Sequence, residues 1–567
     1  MTRELYFPNG ETIPSAPSPA DVLNAVKQSD GPGSGLDADL YKSGLAVKGA
    51  VGPRNTGTPD IGLGYNGTEV TVTVDGVDKG DIAYKADLTN INTGVPLVTQ
   101  LCQGTHNSSW MLVDGELFTS SGKSNVYGNS TTGRGLRGTL PVNGIDNLKV
   151  VSRRTNSPIV KVGGGYYTFM YTLHANGELY TWGANTNGQC GLGSTVEIPF
   201  PTLAATGVVE IYDHPSNGHY SVNNNRLFIK KSDGYIYGCG GNSNGGLGLG
   251  DSTNRNIFTQ ISALGVNGVS KLFNLGSNSG CTVVLTTDGR ILICGYNAYG
   301  NLGLSNNTNI ITNFTDVTTA WAGVSSGVQD IKVTGIFGYS SSSTLYVSTL
   351  LMLITLPDGS KIVRTCGDNT WGQLGNGNTT AVNTPITPLS LPSNIVDIAT
   401  STELTFHALT DTGDLYGWGF NGFGNVGDGT TTNRSTPIVV KTNIAKLHTD
   451  GWTCHSYGYY ISTFVEDING RLWSCGYNAN GEGGTGTTAN NLSFNEVLLP
   501  SDEQVHLLGS TSSTNGGLAT ICITKKGNMY VWGYTGYSQI YGYNFGLNKI
   551  PYPQSMEIPR LNETIVY

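Results

Sequence analysis

One pattern returns seven times in this chain and leaves few folds open to it. Its copies are LYTWGANTNGQCGLG (179–193), IYGCGGNSNGGLGLG (236–250), ILICGYNAYGNLGL (291–304), VRTCGDNTWGQLGNG (363–377), LYGWGFNGFGNVGDG (415–429), LWSCGYNANGEGGTG (472–486) and MYVWGYTGYSQIYG (529–542). The first motif glycine falls at Gly183, Gly240, Gly295, Gly367, Gly419, Gly476 and Gly533, at spacings of 57, 55, 72, 52, 57 and 57 residues. A degenerate eighth copy, WMLVDGELFTSSGKSNVYG (110–128), places Gly122 61 residues before Gly183 and lacks the Trp or Cys.

Each copy reads as strand, turn, strand and tight reversal. Asn176-Gly177, Asp233-Gly234, Asp288-Gly289, Asp358-Gly359 and Asn469-Gly470 are turn dipeptides that predict two-residue hairpins, with Thr412-Gly413 and Lys526-Gly527 as weaker versions. The next strand ends in Trp182, Cys239, Cys294, Cys366, Trp418, Cys475 or Trp532, just before the motif glycine. Alternation of Trp and Cys at one place predicts a buried packing position of variable volume, with core thiols rather than reactive ones.

A unit of this size cannot bury its own apolar face, so the units must stack. About 55 residues per β repeat points to radial closure. The expected fold is all-β: a seven-bladed β-propeller of four-stranded blades over 96–567, the degenerate copy leaving an eighth blade open. The longest unit carries an insertion around Ser325–Leu356, read as a protruding loop or hairpin. Within it, LYVSTLLMLITL (345–356) reads as one or two buried strands, being too short to span a bilayer.

TWGANTNGQCGLG (181–193) and CGDNTWGQLGNG (366–377) resemble the repeat of the regulator-of-chromosome-condensation family, whose signature is a Trp-Gly-x-Asn-x-x-Gly-Gln-Leu-Gly-like run. The resemblance covers about 96–567 and implies a seven-bladed propeller. Members of that family bind chromatin, exchange guanine nucleotides or inhibit an enzyme, so an intracellular regulator or inhibitor that binds a protein partner is one implied function. No exchange-active motif can be matched onto this sequence.

Composition narrows the choice. Glycine makes up 80 of 567 residues, about twice the usual share, while only 13% are charged. Long helices and coiled coils are excluded, and 38% hydrophobic residues with 29 Tyr supply a core. A net charge of −9 argues against nucleic-acid binding. The nine Cys form no CxxC or CxxH spacing, so no metal is expected. No secretory signal or membrane insertion is expected from the sequence.

Residues 1–95 lack the repeat and read as a separate attachment or oligomerisation segment of extended and β character. Val22, Leu23 and Val26 suit a short amphipathic helix, and VTVTVDGVDKGDIAYK (70–85) a hairpin turning at Asp75-Gly76. SDGPGSGLDADL (29–40) resembles a segment of tail-fibre and related virion proteins of bacteriophages, although Tyr41-Lys42-Ser43-Gly44 departs from the usual continuation. That resemblance implies a virion structural protein (tail fibre, collar, whisker or related appendage), assembled in the host cytoplasm. It would attach to other virion proteins through its N-terminus, form a homo-oligomer such as a trimer, and display the propeller to a host surface glycan or protein.

No catalytic chemistry is legible. Gly122-Lys123-Ser124 would need a P-loop glycine where Leu117 stands, and Gly133–Gly138 fits GxGxxG without a following helix. HExxH and GxSxG are absent, and Glu466–Gly470 lacks the ligands of a calcium loop. The expectation is a non-enzyme without cofactor. The candidate binding residues lie four past each motif glycine: Tyr299, Trp371, Phe423 and Tyr537, with Asn187, Asn244 and Asn480 in the other copies. Equivalent propeller positions share one face, so these are expected to ring the central channel as a partner-binding surface, or else to wedge between blades.

Overall fold

The computed structural model describes strands at 61–65, 70–74, 77–81, 98–103, 108–113, 116–121 and 149–150, and then residues 157–165, 169–212, 226–275, 280–339, 346–401, 404–448, 462–512, 518–534 and 549–556. The chain divides into two compact units, 1–97 and 98–567. In the first, Ile61–Tyr65, Val70–Val74 and Val77–Asp81 form a three-stranded sheet, with Val74 paired to Val77 across the expected Asp75-Gly76 turn. Segments 20–47 and 122–138 lie outside the described residues.

Among the described residues, the second unit contains eight four-stranded antiparallel sheets, each a simple meander. The seven clear sequence copies give seven of them, blades 2 to 8 here. Blade 6, for example, runs Ile395–Ser401, Thr405–Thr410, Leu415–Gly419 and Arg434–Lys441. The degenerate copy supplies blade 1, from Val98–Gln103 to the two-residue strand Lys149–Val150. Its first strand lies against the first strands of both blade 2, Ile159–Gly165, and blade 8, Val505–Ser512. The ring therefore closes through the weakest copy.

The hairpins correct one expectation. In blade 3, Gly234 N–H donates to Lys231 O, and Lys231 N–H donates to Tyr235 O. Three residues thus form the loop, and only Gly234 (φ 83°) is left-handed, whereas a two-residue type I′ turn needs positive φ at both centres. The same two bonds recur in blades 2 to 8. The Asn or Asp caps the turn instead: Asp233 Oδ1 accepts from Tyr235 N–H at 3.0 Å.

The insertion is also part of the wall. Asp330–Tyr339 and Tyr346–Thr355 are ten-residue strands of blade 5, in which Leu350, Leu351, Met352 and Ile354 are fully buried. A short helix before them, Thr318–Ala322, buries Trp321. Most of the apolar run, Tyr346–Thr355, is one strand, and the hairpin reaches three pairs past the third strand, Phe337–Tyr339 against Tyr346–Ser348.

Blades are joined at the place where Trp and Cys alternate. All seven of those residues are 0% exposed. Trp418 Nε1 donates to Gln373 O at 2.9 Å and Trp532 Nε1 to Glu482 O at 2.9 Å. Cys239, Cys366 and Cys475 point their thiols at Gln189 O, Asn301 O and Asn425 O, at 3.4, 3.1 and 3.3 Å. In every case the acceptor lies in the preceding blade, six residues past its motif glycine. The position is a cross-blade donor as well as a filler of space.

The volume difference is made up elsewhere. Where the residue is Cys239, Cys294 or Cys475, Phe258, Phe314 or Phe494 of the outer strand packs on the preceding motif loop at Gly191, Gly248 or Gly427. For Cys366 the blade-5 outer strand offers Pro385, and Trp321 fills the gap with Nε1 donating to Leu302 O at 3.1 Å. Where the residue is Trp418, the outer strand carries Pro437. Burial holds the described thiols well above the ordinary thiol pKa, which keeps them protonated and inert.

The motif asparagine shapes each reversal. Asn421 is fully buried; its Oδ1 accepts from Val426 N–H at 2.9 Å, and its Nδ2 donates to Thr430 O and Thr432 O at 3.0 and 3.1 Å. Asn185, Asn369 and Asn478 repeat this three-way clamp. Asn421→Ala would strand one buried amide and two carbonyls, so we expect a loss of about 2 kcal/mol. The urea midpoint of the variant against the wild type measures it, and an unchanged midpoint would refute the clamp.

Candidate functional site

In a four-stranded meander the connections after the first and third strands emerge at one end of the blade, and the hairpin between them emerges at the other. The motif loops therefore share one end of the propeller, built on rigid strands. Each loop is stitched to its neighbour: Gly193, Gly250, Ser305, Gly377, Gly429 and Gly486 donate their N–H to Asn256, Thr312, Asn383, Ser435, Leu492 and Pro551 O, at 2.7 to 3.0 Å. These acceptors all lie in the outer strand of the following blade.

This stitching decides where the candidate residues go. Gly372, next to Trp371, sits so close to blade 6 that a Cβ would lie 2.6 Å from Ser435 Cα. Gly188, Gly245, Gly300, Gly424 and Gly481 abut the outer strands of their following blades in the same way. The position four past the motif glycine consequently lies over the seam toward the next outer strand. Of the two expected placements, a ring on the channel and a wedge between blades, the described loops stand at the seam between blades.

The loop itself fixes that position. Gln189, Gln373, Asn425 and Glu482 each use a side-chain oxygen to accept the backbone N–H of Asn187, Trp371, Phe423 and Asn480, at 2.9, 2.8, 3.2 and 2.8 Å. Asn187 is only 7% exposed and accepts from Asn254 Nδ2 of blade 3 at 3.0 Å. Asn480 donates Nδ2 to Glu482 Oε1 at 2.6 Å. Asn244 is half-buried, and Tyr299 lies 6.4 Å from Tyr296 between ring centroids. Tyr537 falls outside the described residues.

Two candidates do come together, through a residue that the sequence reading passed over. Trp371 of blade 5 meets Phe420 of blade 6 edge-on at 5.3 Å, Phe420 lies 6.3 Å from Phe423, and Phe423 meets Tyr477 of blade 7 edge-on at 5.6 Å. The four rings form one run across three blades. Trp371 and Phe423 are half-buried against a core containing Leu351, Phe406 and Trp418. Phe420 and Tyr477 directly follow their motif glycines, so an aromatic at that place in one copy and four past the glycine in the preceding copy was the available signal.

Among the described residues, no three His, Cys, Asp or Glu side chains stand together as a metal site. No helix among them is long and apolar enough to cross a membrane. Two buried titratable groups stand apart from the rings. Glu482 occupies the place of Gln189 and Gln373, and burial raises its carboxyl pKa to about 7. Burial lowers the His407 pKa to about 4, with Nε2 3.3 Å from Val426 O.

Segments 176–210, 363–407 and 412–464 match the regulator of chromosome condensation (RCC1) repeat, and 159–189 matches a second description of that repeat. The human X-linked retinitis pigmentosa GTPase regulator is 36% identical over 135 residues, which are 24% of this chain and 12% of that protein. The ultraviolet-B receptor UVR8 of Arabidopsis thaliana is 25% identical over 280 residues, 49% of this chain and 57% of that protein. These matches span less than two thirds of either relative. Among solved structures, yeast RCC1 (Prp20) bound to Kap60 aligns over 68% of this chain and 85% of that chain, at 16% identity and a TM-score of 0.45.

Proposed function

We propose that this propeller is a protein-binding module, a regulator or inhibitor that acts by docking a protein partner on the motif-loop end. The observation that carries this reading is the run Trp371–Phe420–Phe423–Tyr477, in which the half-buried rings of Trp371, Phe423 and Tyr477 are joined across three blades by the buried Phe420. Large aromatics with locked rotamers give contact area at little entropic cost and are common binding anchors. The similarity to a GTPase regulator and a receptor of the same repeat type supports a regulatory role. The chemistry is binding, and no enzymatic step is assigned.

The test is to place a photo-crosslinking phenylalanine at Tyr477, identify the captured protein by mass spectrometry, and measure its affinity for the purified propeller. Phe423→Ser is expected to weaken that affinity about 30-fold, the effect of losing a binding anchor worth about 2 kcal/mol. Circular dichroism and the melting temperature of the variant confirm folding. Unchanged affinity in a folded variant would overturn the assignment of this face.

A second reading is favoured by one observation, the SDGPGSGLDADL segment at 29–40. In it the same propeller is displayed on a bacteriophage particle, with residues 1–95 as the attachment and oligomerisation segment and a neighbouring virion protein or host surface molecule as the partner. Mass spectrometry of purified particles decides this: the protein is present in stoichiometric amounts, or the reading fails.

A further inference from the structure

Phe420 stands in the middle of the aromatic run, and two features particular to blade 6 converge on it. The first is Leu404, the residue before the second strand Thr405–Thr410. Its φ is 68°, in the left-handed region that disfavours a bulky apolar side chain. The other non-glycine residues with positive φ among those described are Asn267, Ser305, Ser390 and Asn443, all small and polar. Leu404 O accepts the N–H of Phe420 at 3.0 Å. That bond does not demand the strain. In blade 5, Ser348 O accepts the corresponding N–H of Asp368 at 2.9 Å from within the extended strand Tyr346–Thr355. What the left-handed turn changes is the side chain: Leu404 is 8% exposed and shares one buried cluster with Phe420, against which Trp371 and Phe423 pack.

The second feature is Gly422, three past the motif glycine and exposed. The same place holds Thr186, Ser243, Ala298, Thr370 and Ala479 in blades 2, 3, 4, 5 and 7. Gly422 is not left-handed, so its backbone does not call for glycine. Space does: a Cβ there would lie 2.5 Å from Phe420 Cζ and 3.1 and 3.2 Å from its two Cε atoms. Thr405 Oγ1 completes the seat by donating to Phe420 O at 2.6 Å. Both backbone groups of Phe420 are therefore tied, and the tip of its ring ends against Gly422.

We propose that Leu404 and Gly422 are positioning residues for partner docking: they hold the Phe420 ring between Trp371 and Phe423 and so set the spacing of the run that a partner's apolar side chains enter. The inference rests on the reading of the motif-loop end as a docking surface and deepens it. Left-handed backbone at a leucine persists only where the surrounding structure holds it, and here that strain and the missing side chain of Gly422 meet at one ring. Rings already in place lose little freedom on binding, so a disturbed seat weakens binding without unfolding the protein.

The test labels the full chain with 5-fluorotryptophan and follows the fluorine resonance of Trp371, assigned by its loss in Trp371→Phe. The Trp371 ring meets Phe420 edge-on at 5.3 Å, so the resonance reports where Phe420 stands. Gly422→Ala adds one methyl at an exposed site and is expected to move this resonance while the melting temperature stays unchanged. Leu404→Gly should move it too, whereas Leu404→Met, which keeps the volume, should leave it in place. The protein captured through position 477 should bind Gly422→Ala about tenfold more weakly. A Trp371 resonance unmoved in folded Gly422→Ala would overturn the proposal, as would a moved resonance with unchanged affinity. If Phe423→Ser also leaves the affinity unchanged, the docking surface itself is at fault, so the two failures are told apart.

Discussion

Trp418→Ala lowers the stability of the propeller by about 3–5 kcal/mol, the usual cost of truncating a fully buried large aromatic. The indole does two things at once. It fills the seam between blades 5 and 6, stacking on Phe406 with ring centroids 5.8 Å apart, and it gives Nε1–H to Gln373 O. Trp418→Phe separates these roles, since it keeps most of the apolar volume and leaves one carbonyl without its donor, at an expected cost of about 1–3 kcal/mol. Denaturant titration of the three proteins gives the order wild type, Phe, Ala. Equal losses for the two variants would mean that the donor carries the whole effect. A loss below about 1 kcal/mol for Ala would show that the seam does not depend on this side chain.

Glu482→Gln removes a pH dependence and stabilises the protein above neutral pH. The folded carboxyl has its pKa raised from 4.5 to about 7, chiefly by burial. A raised folded pKa means that the native state holds its proton longer than the unfolded chain does. The associated stability is fully present below pH 4.5 and is lost as pH rises through about 7. At 1.36 kcal/mol per unit the full loss is on the order of 3 kcal/mol. Glutamine is the neutral isostere that Gln189 and Gln373 already provide at this place, accepting the same backbone N–H. Melting curves from pH 5 to 8 should fall less steeply for the variant, which overtakes the wild type toward pH 8. Parallel curves would remove Glu482 as their cause. His407 acts in the opposite direction: its folded pKa is lowered from 6.5 to about 4, so its contribution is lost as pH falls below 6.5, in wild type and variant alike.

Much of the blade design was legible before any coordinates. Turn dipeptides located the hairpins, although the loop length was misjudged, because Asn-Gly fits both a two-residue turn and the cap of a three-residue one. Trp182, Trp418 and Trp532 and the motif cysteines were recognised as one buried position from their register alone. The longer spacing before Gly367 does not say how many of the added residues pair within the sheet and how many run past it as a hairpin. The candidate residues share one register in the sequence, but which rings meet does not follow from it. Trp371 and Phe423 needed Phe420 and Tyr477, which belong to other copies.

The sequence by itself determined what is local and repeated: antiparallel hairpins, the reversal clamped by Asn421 and its equivalents, and the number of clear units. Those features depend on residues within about a dozen positions of one another, where φ/ψ preference and side-chain-to-backbone bonds act directly. The tertiary structure alone decided which copy lies beside which, and with it every cross-blade bond from Trp418 to Gln373, the balance of Cys239 with Phe258, the closure through the degenerate copy and the aromatic run. Apart from Cys239 with Phe258 and Phe420 with Phe423, each pair within one blade, these partners stand in different copies, Trp418 and Gln373 being 45 positions apart. When every copy offers the same chemistry, only the closed ring tells a residue which neighbour it meets.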